Sequence, residues 1–379
     1  MKFQLVSEGK IKIRVPVHGK PERSMAVFYN ANKKMDRSLS VALLQAFLRG
    51  PREVNPKACD LLAATGVRGL RLASEVFGLN KVILNDVNPT AFELMKQNVK
   101  INEKRLRCVV EVKSEEANHL LRRMRTRFDY LDVDPFGSPN PFLDAAVRSV
   151  RLGGILAVSS TDTACLCGTY PKTCYRKYGS LSHKTEYFRE TGVRILAKKV
   201  IEVGAQYYNA LQPIFAHTFR DSFRLYFVAS RGAERTDQIL ENIGFILHCD
   251  RCLFRMPKGF DEPDGKECPR CESRLRTIGP LYMGKLYDRK LVEAMRDVVD
   301  VEAKPLLRVV FEESAVDSPW YYTTDAICSR LGIPAPKIEK VINVLRGKGL
   351  QAARTHFDSV GIKTDASMEE MEQVLRSLG

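Results

Sequence analysis

Glutamine is scarce in this 379-residue chain: eight residues, against 28% charged. That balance leans thermophilic, because ion-pair networks gain relative weight on heating and amide side chains are heat-labile. Apolar runs are short, and none approaches the ~20 residues of a membrane-spanning helix. The amino-terminal stretch Lys10-Ile11-Lys12-Ile13-Arg14-Val15 alternates charged and apolar residues. Such alternation predicts a strand, not a signal peptide. The expectation is a soluble, cytoplasmic protein with no membrane partner, and nothing in the sequence calls for an obligate protein partner. Internal repeats and low-complexity tracts are absent. Acidic residues are also in deficit: 45 Asp plus Glu face 60 Lys plus Arg, a net charge of +15. That excess favours polyanionic partners, nucleic acid first. It is concentrated near the amino end, where the first fifty residues hold ten Lys or Arg and three Asp or Glu. Arg122, Arg123, Arg125 and Arg127 form a second knot, although any single run also reads as a solvated face.

What is present is a succession of strand ends, each carrying a residue suited to a ligand. Ala58-Cys59-Asp60-Leu61-Leu62 reads as a buried strand, Ala63-Ala64-Thr65-Gly66 as a turn of small residues. A helix follows with Leu70, Leu72, Ala73 and Val76 on its apolar side. Small residues suit a turn whose backbone must approach a ligand. The first two glycines of G-x-G-x-x-G are missing, which argues against a pyrophosphate cofactor. A second strand, Lys81 to Asn85, ends in Asp86-Val87. Its carboxylate comes about 20 residues after the turn, where it can accept from ribose hydroxyls. A third, Cys108 to Val112, ends in Ser114-Glu115-Glu116-Ala117, an edge that can face adenine. Both acids also have a plainer reading as helix caps, Asp86 before Pro89 and Glu115 before Asn118.

The fourth strand, Phe128-Asp129-Tyr130-Leu131, runs into the octet Asp132-Val133-Asp134-Pro135-Phe136-Gly137-Ser138-Pro139. An exocyclic amine on a nucleobase is a poor nucleophile, because its lone pair is delocalised into the ring. To attack a methyl group it must be held in line and relieved of proton charge as the bond forms. Asp134 offers a carboxylate, the Pro135 peptide a carbonyl beside it, and Phe136 a face for stacking. Asp-Pro followed by Gly-Ser-Pro is equally good turn chemistry, so the octet alone leaves both readings open. A fifth strand (Gly153 to Ser159), helical periodicity over 193–211 and a strand pair (Ile214 to Phe219, Phe223 to Ala229) follow. Five β–α steps plus that pair predict an α/β fold with a doubly wound, seven-stranded sheet.

The character changes after about residue 231. Cys249-x2-Cys252-x15-Cys268-x2-Cys271 has the spacing of a zinc ribbon, with four thiolates for a closed tetrahedral structural site. Two disulfides are the competing reading, since hyperthermophiles keep them inside the cell. Cys165, Cys167 and Cys174 are spaced too irregularly for a second site. Cys59, Cys108 and Cys328 read as buried thiols. From Val301 to Leu378 the order is helix (Ala326 to Leu331), helix (Pro336 to Arg346), then a short hairpin (Gln351 to Ile362). That suggests a winged-helix-like or mixed α/β accessory domain.

The strand-end pattern resembles the class I S-adenosylmethionine-dependent methyltransferases. More narrowly, the chain is similar to the tRNA guanine-N2 dimethyltransferases, the Trm-one family. The resemblance rests on Val27-Phe28-Tyr29-Asn30, Met35-Asp36-Arg37-Ser38-Leu39-Ser40, Ala64-Thr65-Gly66-Val67-Arg68-Gly69-Leu70-Arg71 and Asp134 to Pro139. It continues through Ser160-Thr161-Asp162-Thr163-Ala164, Tyr175-Arg176-Lys177-Tyr178-Gly179, Thr355-His356-Phe357 and Gly361-Ile362-Lys363-Thr364-Asp365, and so covers nearly the whole chain.

The resemblance implies a Rossmann-like methyltransferase domain over residues 1–230. It also implies a tRNA-binding accessory domain over 231–379 that contains the four-cysteine unit. It implies methylation of the exocyclic N2 of guanosine 26 of tRNA, with S-adenosylmethionine as donor. The cofactor loop would be Asp60 to Gly69, with Ala63, Ala64, Thr65, Gly66 and Arg68 in contact. Arg37 and Arg71 are candidates for the methionine carboxylate, because a fork of donors suits it. Asp86 with Val87 would take the ribose, Glu115 and Ala117 the adenine edge, and Asp132 would join the cofactor side. Asp134 would accept from the N2 amine and help take up its proton, with the Pro135 carbonyl sharing that task. Phe136 would stack on the base and Phe28 would form a second wall. Ala63 and Ala64 replace glycines common in the superfamily, and are expected to keep negative φ. No cysteine stands at the motif, which disfavours pyrimidine C5 methylation. An adenine-N6 or cytosine-N4 DNA methyltransferase is one alternative, although its motif usually has two prolines before the aromatic. A non-catalytic RNA-binding scaffold is the other; intact Asp86 and Asp134 argue against it.

Overall fold

A computed structural model describes residues 2–17, 27–50, 55–124, 126–262 and 265–378. Seven runs rich in Val, Ile, Leu and Phe pair into one sheet. Its strands are β1 (Lys57–Asp60), β2 (Lys81–Asn85), β3 (Val109–Lys113), β4 (Phe128–Val133), β5 (Val150–Ser160), β6 (Asn209–Phe219) and β7 (Ser222–Arg231). Their order is β3-β2-β1-β4-β5-β7-β6, with β7 antiparallel to both neighbours. Helices cover both faces, so central strands are apolar throughout: Ala58, Cys59, Val82, Leu84, Leu131 and Val133 are excluded from solvent. From β1 the order runs one way to β2 and β3, and the other way to β4 and β5. A crevice therefore opens beyond the carboxyl ends of β1 and β4.

Local chemistry sets the helices that flank this crevice. Gly69, on the first turn of helix Val67–Glu75, has no room for a side chain: a Cβ would stand 2.1 Å from a Leu84 methyl. The helix thereby lies close on β2. Helix Pro89–Asn102 is capped by Asn88, and helix Ala117–Arg123 by Glu116. The cap readings of Asp86 and Glu115 therefore fail by one or two residues, which leaves Asp86 for the crevice. The hairpin Phe3–Glu8 with Ile11–Pro16 buries Ile11, Ile13 and Val15. Asn98 and Asn102 hydrogen-bond the backbone of Arg14 and Lys12, so this edge is tied to a helix. The helix expected over 193–211 spans Phe188–Ala205. It stops because the chain folds straight back at Tyr208, with Asn209 O only 2.7 Å from where a Gly204 Cβ would be.

Beyond β7 a three-stranded sheet places Ile243–His248 between Arg255–Lys258 and Arg276–Tyr282, with the cysteine pairs at its turns. The winged-helix order then appears: helix Lys304–Glu313, strand Tyr322–Thr323, helices Thr324–Leu331 and Ile338–Gly347, and strands Ala352–Arg354 and Gly361–Thr364. This half does not stand apart. Leu291, Met295, Leu307 and Val310 share a buried cluster with Leu39 and Leu43. Ile278, Tyr321 and Phe357 share another with Val193, Leu196 and Phe223. Among the described residues no helix is long and apolar enough to cross a membrane. Arg125, of the basic knot, lies outside the described residues.

Candidate active site

A cavity of about 640 Å³ fills the crevice. Its wall brings together Phe28, Arg37, Ala63, Ala64, Thr65, Arg68, Asp86, Asp134, Pro135 and Phe136 from the residues expected in the sequence. The structure leaves Gly66, Arg71, Val87, Glu115, Ala117 and Asp132 outside that wall. Arg71 is a correction: it is fully buried, and its guanidinium donates to Ser38, Glu75 and Asp300. These bonds leave no fork for a ligand carboxylate, and Arg71 braces the amino-terminal segment. Glu115 reaches outward to Arg123, at 2.6 Å, and Val87 points into solvent, 62% exposed. Ala117 is buried at a helix start, and Gly66, at φ 76°, shapes the turn from behind.

Ala64 also departs from expectation: its φ is +49°, in the left-handed region. That conformation costs an L-residue roughly 1–2 kcal/mol. It is held by tertiary bonds, since Asp86 Oδ2 accepts from Ala64 N at 2.9 Å and Ala63 N donates to Asn85 O at 2.8 Å. Arg37 lines the cavity, but Glu8 grips it with two bonds of 2.6 Å.

Asp60 lies under the turn and accepts from Gly69 N at 2.9 Å. Burial, then the negative charge of Asp132, pushes its pKa up to about 7. A carboxyl raised in the folded state contributes stability below its unfolded pKa, and that contribution is lost as pH climbs through the folded one. Asp60→Asn keeps the acceptor for Gly69 N, so it should raise Tm at pH 8. Thermal scans should show that gain shrinking towards pH 4, and an equal gain at both pH values would refute the assignment.

At the far side Phe28 and Phe136 meet edge to face, with ring centroids 4.7 Å apart. Phe136 is half exposed at the mouth, whereas Pro135 is buried. Asp134 receives Lys33 Nζ at 3.3 Å and Arg68 Nη2 at 2.7 Å. Burial opposes its charge, but these two cations outweigh it and hold the carboxyl well below the ordinary range. Arg68 also grips Asp36 at 2.7 Å and Ser40 at 2.6 Å. Asp36 in turn meets His217 at 2.9 Å. Behind them Asp132 is fully buried, paired with Arg224 and accepting from Tyr130 at 2.8 Å. Asp132 therefore anchors the end of β4, behind the cavity wall. The octet is pinned from outside as well: Gly137 N donates to Thr161 Oγ1 at 2.8 Å, and Tyr178 OH to Ser138 Oγ at 2.9 Å. The two rings touch, so a planar base can lie on the exposed face of Phe136 beside Phe28, with its edge towards a fixed anion.

The family described as N2,N2-dimethylguanosine tRNA methyltransferase matches residues 9–376. The chain belongs to that family. A tRNA (guanine(26)-N(2))-dimethyltransferase of Methanothermobacter thermautotrophicus is 39% identical, covering 98% of each chain. A tRNA (guanine(26)-N(2)/guanine(27)-N(2))-dimethyltransferase of Aquifex aeolicus is 37% identical, over 99% of this chain and 96% of that one. The structure of Trm1 from Pyrococcus horikoshii with S-adenosyl-L-methionine superposes with a TM-score of 0.86 at 33% identity, covering 98% of this chain and 99% of that one. Membership in the N2,N2-dimethylguanosine family removes the DNA amino-methyltransferase alternative.

Within this family member, several groups around the site escaped the sequence, of which Lys33 lines the cavity and Asp36 and Arg224 lie behind its wall. Lys33, Asp36 and Arg224 gather around the octet from positions about a hundred residues away, and pairing at that range leaves no local mark. The turn Phe219-Arg220-Asp221-Ser222 closes the cavity, but in sequence it reads only as a hairpin tip. Elsewhere Cys249, Cys252, Cys268 and Cys271 bring their sulfurs within 4.8 Å of one another. The pairs Cys249–Cys271 and Cys252–Cys268 lie 3.5 and 3.4 Å apart, well beyond a disulfide bond of about 2.05 Å. Each knuckle turns through a positive φ at the same place, Leu253 (59°) and Glu272 (60°). The geometry suits four thiolates around one ion.

Proposed function

We propose that this protein methylates the exocyclic N2 of guanosine 26 in tRNA, to N2-methyl- and then N2,N2-dimethylguanosine. The observation that carries this reading is the family match over 9–376 together with the Asp134, Phe136 and Phe28 corner. S-adenosylmethionine supplies an activated methyl group and leaves as S-adenosylhomocysteine. Ala63, Ala64 and Thr65 would hold it by backbone approach and Asp86 by its ribose, while Arg37 and Arg68, already paired with Glu8 and with Asp36 and Asp134, would line the methionine side as fixed positive charge. Phe136 fixes the plane of the guanine, and Phe28, packed edge to face on it, walls the pocket beside the base. Asp134 accepts from the N2 amine and faces the positive charge that grows there, and the Pro135 carbonyl is the second acceptor. With its pKa held so low, Asp134 orients and stabilises and does not store the proton, which passes to solvent.

Residues 1–230 carry the chemistry in this reading, and residues 231–379 help dock the tRNA. The guanosine lies within folded RNA, so the base must leave its stack to reach the cavity. Phosphate contacts by the basic surface supply most of the affinity. The cytoplasm is the setting that fits. Nucleoside mass spectrometry on unmodified tRNA, after incubation with protein and donor, should show dimethylguanosine. N1-methylguanosine or N6-methyladenosine as main product would overturn the reading, and no transfer at all would favour a scaffold.

We also propose that the four cysteines bind one structural zinc ion, since a closed site leaves no position for substrate. Elemental analysis should find close to one zinc per chain. Cys249→Ser should lose the metal and lower Tm on the order of 10 °C, with kcat much less affected. Four cysteines lost to disulfides, with no metal, would refute the site.

A further inference from the structure

The chemistry leaves unexplained a short arm beside the octet, residues 168–184. It carries Lys172, Arg176, Lys177 and Lys184, and no Asp or Glu. Its helix, Pro171–Tyr178, buries Cys174 and Tyr178 on one side. Tyr170, which caps the helix start, and Tyr175 within it are 59% and 61% exposed. Lys177 pairs with Asp162 at 2.8 Å, whereas Lys172, Arg176 and Lys184 enter no ion pair among the described residues.

The arm is fastened to the octet and packed against its surroundings. Gly168 lies so close to His183 that a Cβ would be 2.3 Å from its carbonyl carbon. Gly179, at φ 63°, ends the helix, and Leu181 bridges to Gly279. Tyr178 OH holds Ser138, two residues past Phe136, and Asn140 Nδ2 donates to Lys177 O at 2.7 Å. Tyr175 stands about one helical turn before Tyr178, roughly 5 Å along the axis. Two exposed aromatic rings, interleaved with cations that enter no ion pair among the described residues, therefore sit on an arm tied to the octet that carries Phe136.

A guanosine that leaves its stack exposes the faces of its neighbours, and an aromatic ring can replace the lost stacking. We propose that Tyr170 and Tyr175, with Lys172 and Arg176, form a second RNA subsite that holds the nucleotides flanking the target guanosine. The rings take base or ribose faces and the cations take the adjoining phosphates. An acidic protein segment would satisfy the cations but leave the rings without flat partners. This subsite rests on the tRNA-methyltransferase reading above.

The test uses the full chain, unmodified tRNA and S-adenosylmethionine. Steady-state kinetics are paired with fluorescence anisotropy of labelled tRNA. Tyr175→Ala should raise KM and Kd for tRNA about tenfold, the scale of one lost base–aromatic stack. Its kcat should fall no more than about threefold, and its Tm should stay within about 2 °C, because the side chain is exposed. Tyr175→Phe should restore binding. Arg176→Gln should lower the slope of log affinity against log salt by about one. If Tyr175→Ala and the double variant with Tyr170→Ala both bind tRNA within twofold of wild type, the subsite is refuted. A Tyr175→Phe variant as weak as Tyr175→Ala would refute stacking. Absence of methyl transfer by the wild type would instead refute the proposed function, and the anisotropy comparison would still decide the subsite.

Discussion

Asp134→Asn should lower kcat by at least ~10²-fold, the lower scale for losing one electrostatic contact to the transition state, while the affinities for methyl donor and tRNA change little. Asparagine keeps the size and one acceptor oxygen. It removes the charge, and it presents an amide NH2 both to the incoming amine and to Arg68, which stands 2.7 Å from Asp134. The carboxylate faces positive charge that exists only as the N–C bond forms, so its contribution is largest in the transition state. Phosphate contacts dominate tRNA affinity and are untouched. Single-turnover rates at saturating tRNA are the measurement, and near-normal turnover would sink the assignment. The cations give a second handle. Lys33 and Arg68 hold the Asp134 carboxyl well below the ordinary range, so it stays charged at any working pH. Lys33→Met removes the larger of these two effects and raises that pKa. An acid limb in the pH–rate profile should then move to higher pH, with the loss of rate on its acidic side.

Much of this site was legible because strand ends carry local signals. An apolar run followed by a turn places Asp86 or Asp134 at a carboxyl edge whatever the rest of the chain does. What escaped was orientation and distance. Arg68 and Arg71 lie three apart on helix Val67–Glu75, so no periodicity says which one enters the crevice. Glu8, Glu75 and Asp300 draw Arg71 away, and Asp36 with Asp134 draws Arg68 in. Likewise nothing about alanine announces φ +49° at Ala64; the Asp86 carboxylate, 22 residues on, holds it there. The helix Arg289–Arg296 packs on Lys34–Phe47, a contact across most of the chain, so a break near 231 in composition is not a break in packing.

Arg68→Met should cost about 3–5 kcal/mol of stability, the scale for removing one partner from a buried ion pair. Arg68 is buried, with Nη2 at 2.7 Å from both Asp36 and Asp134 and Nε at 3.6 Å from Asp132. Methionine fills the space but leaves these carboxylates facing one another beside the cavity without the cation they share. Asp36 remains paired with His217 and Asp132 with Arg224, so folding is weakened and not abolished. Arg68→Lys retains the charge but not the planar fork that serves two carboxylates at once, and should fall between. The pH dependence separates this cause from lost packing. The Asp36 carboxyl is also held below its ordinary range, with Arg68 as the largest stabilising charge. A depressed carboxyl contributes stability above its unfolded pKa, and that stability is lost as pH falls through the folded one. The Tm gap between wild type and Arg68→Met should therefore be widest near pH 7 and narrow below about pH 4, where unfolded carboxylates protonate. A gap of the same size at pH 7 and pH 3 would assign the loss to packing, and the charge network around Asp134 would then not be what holds this corner together.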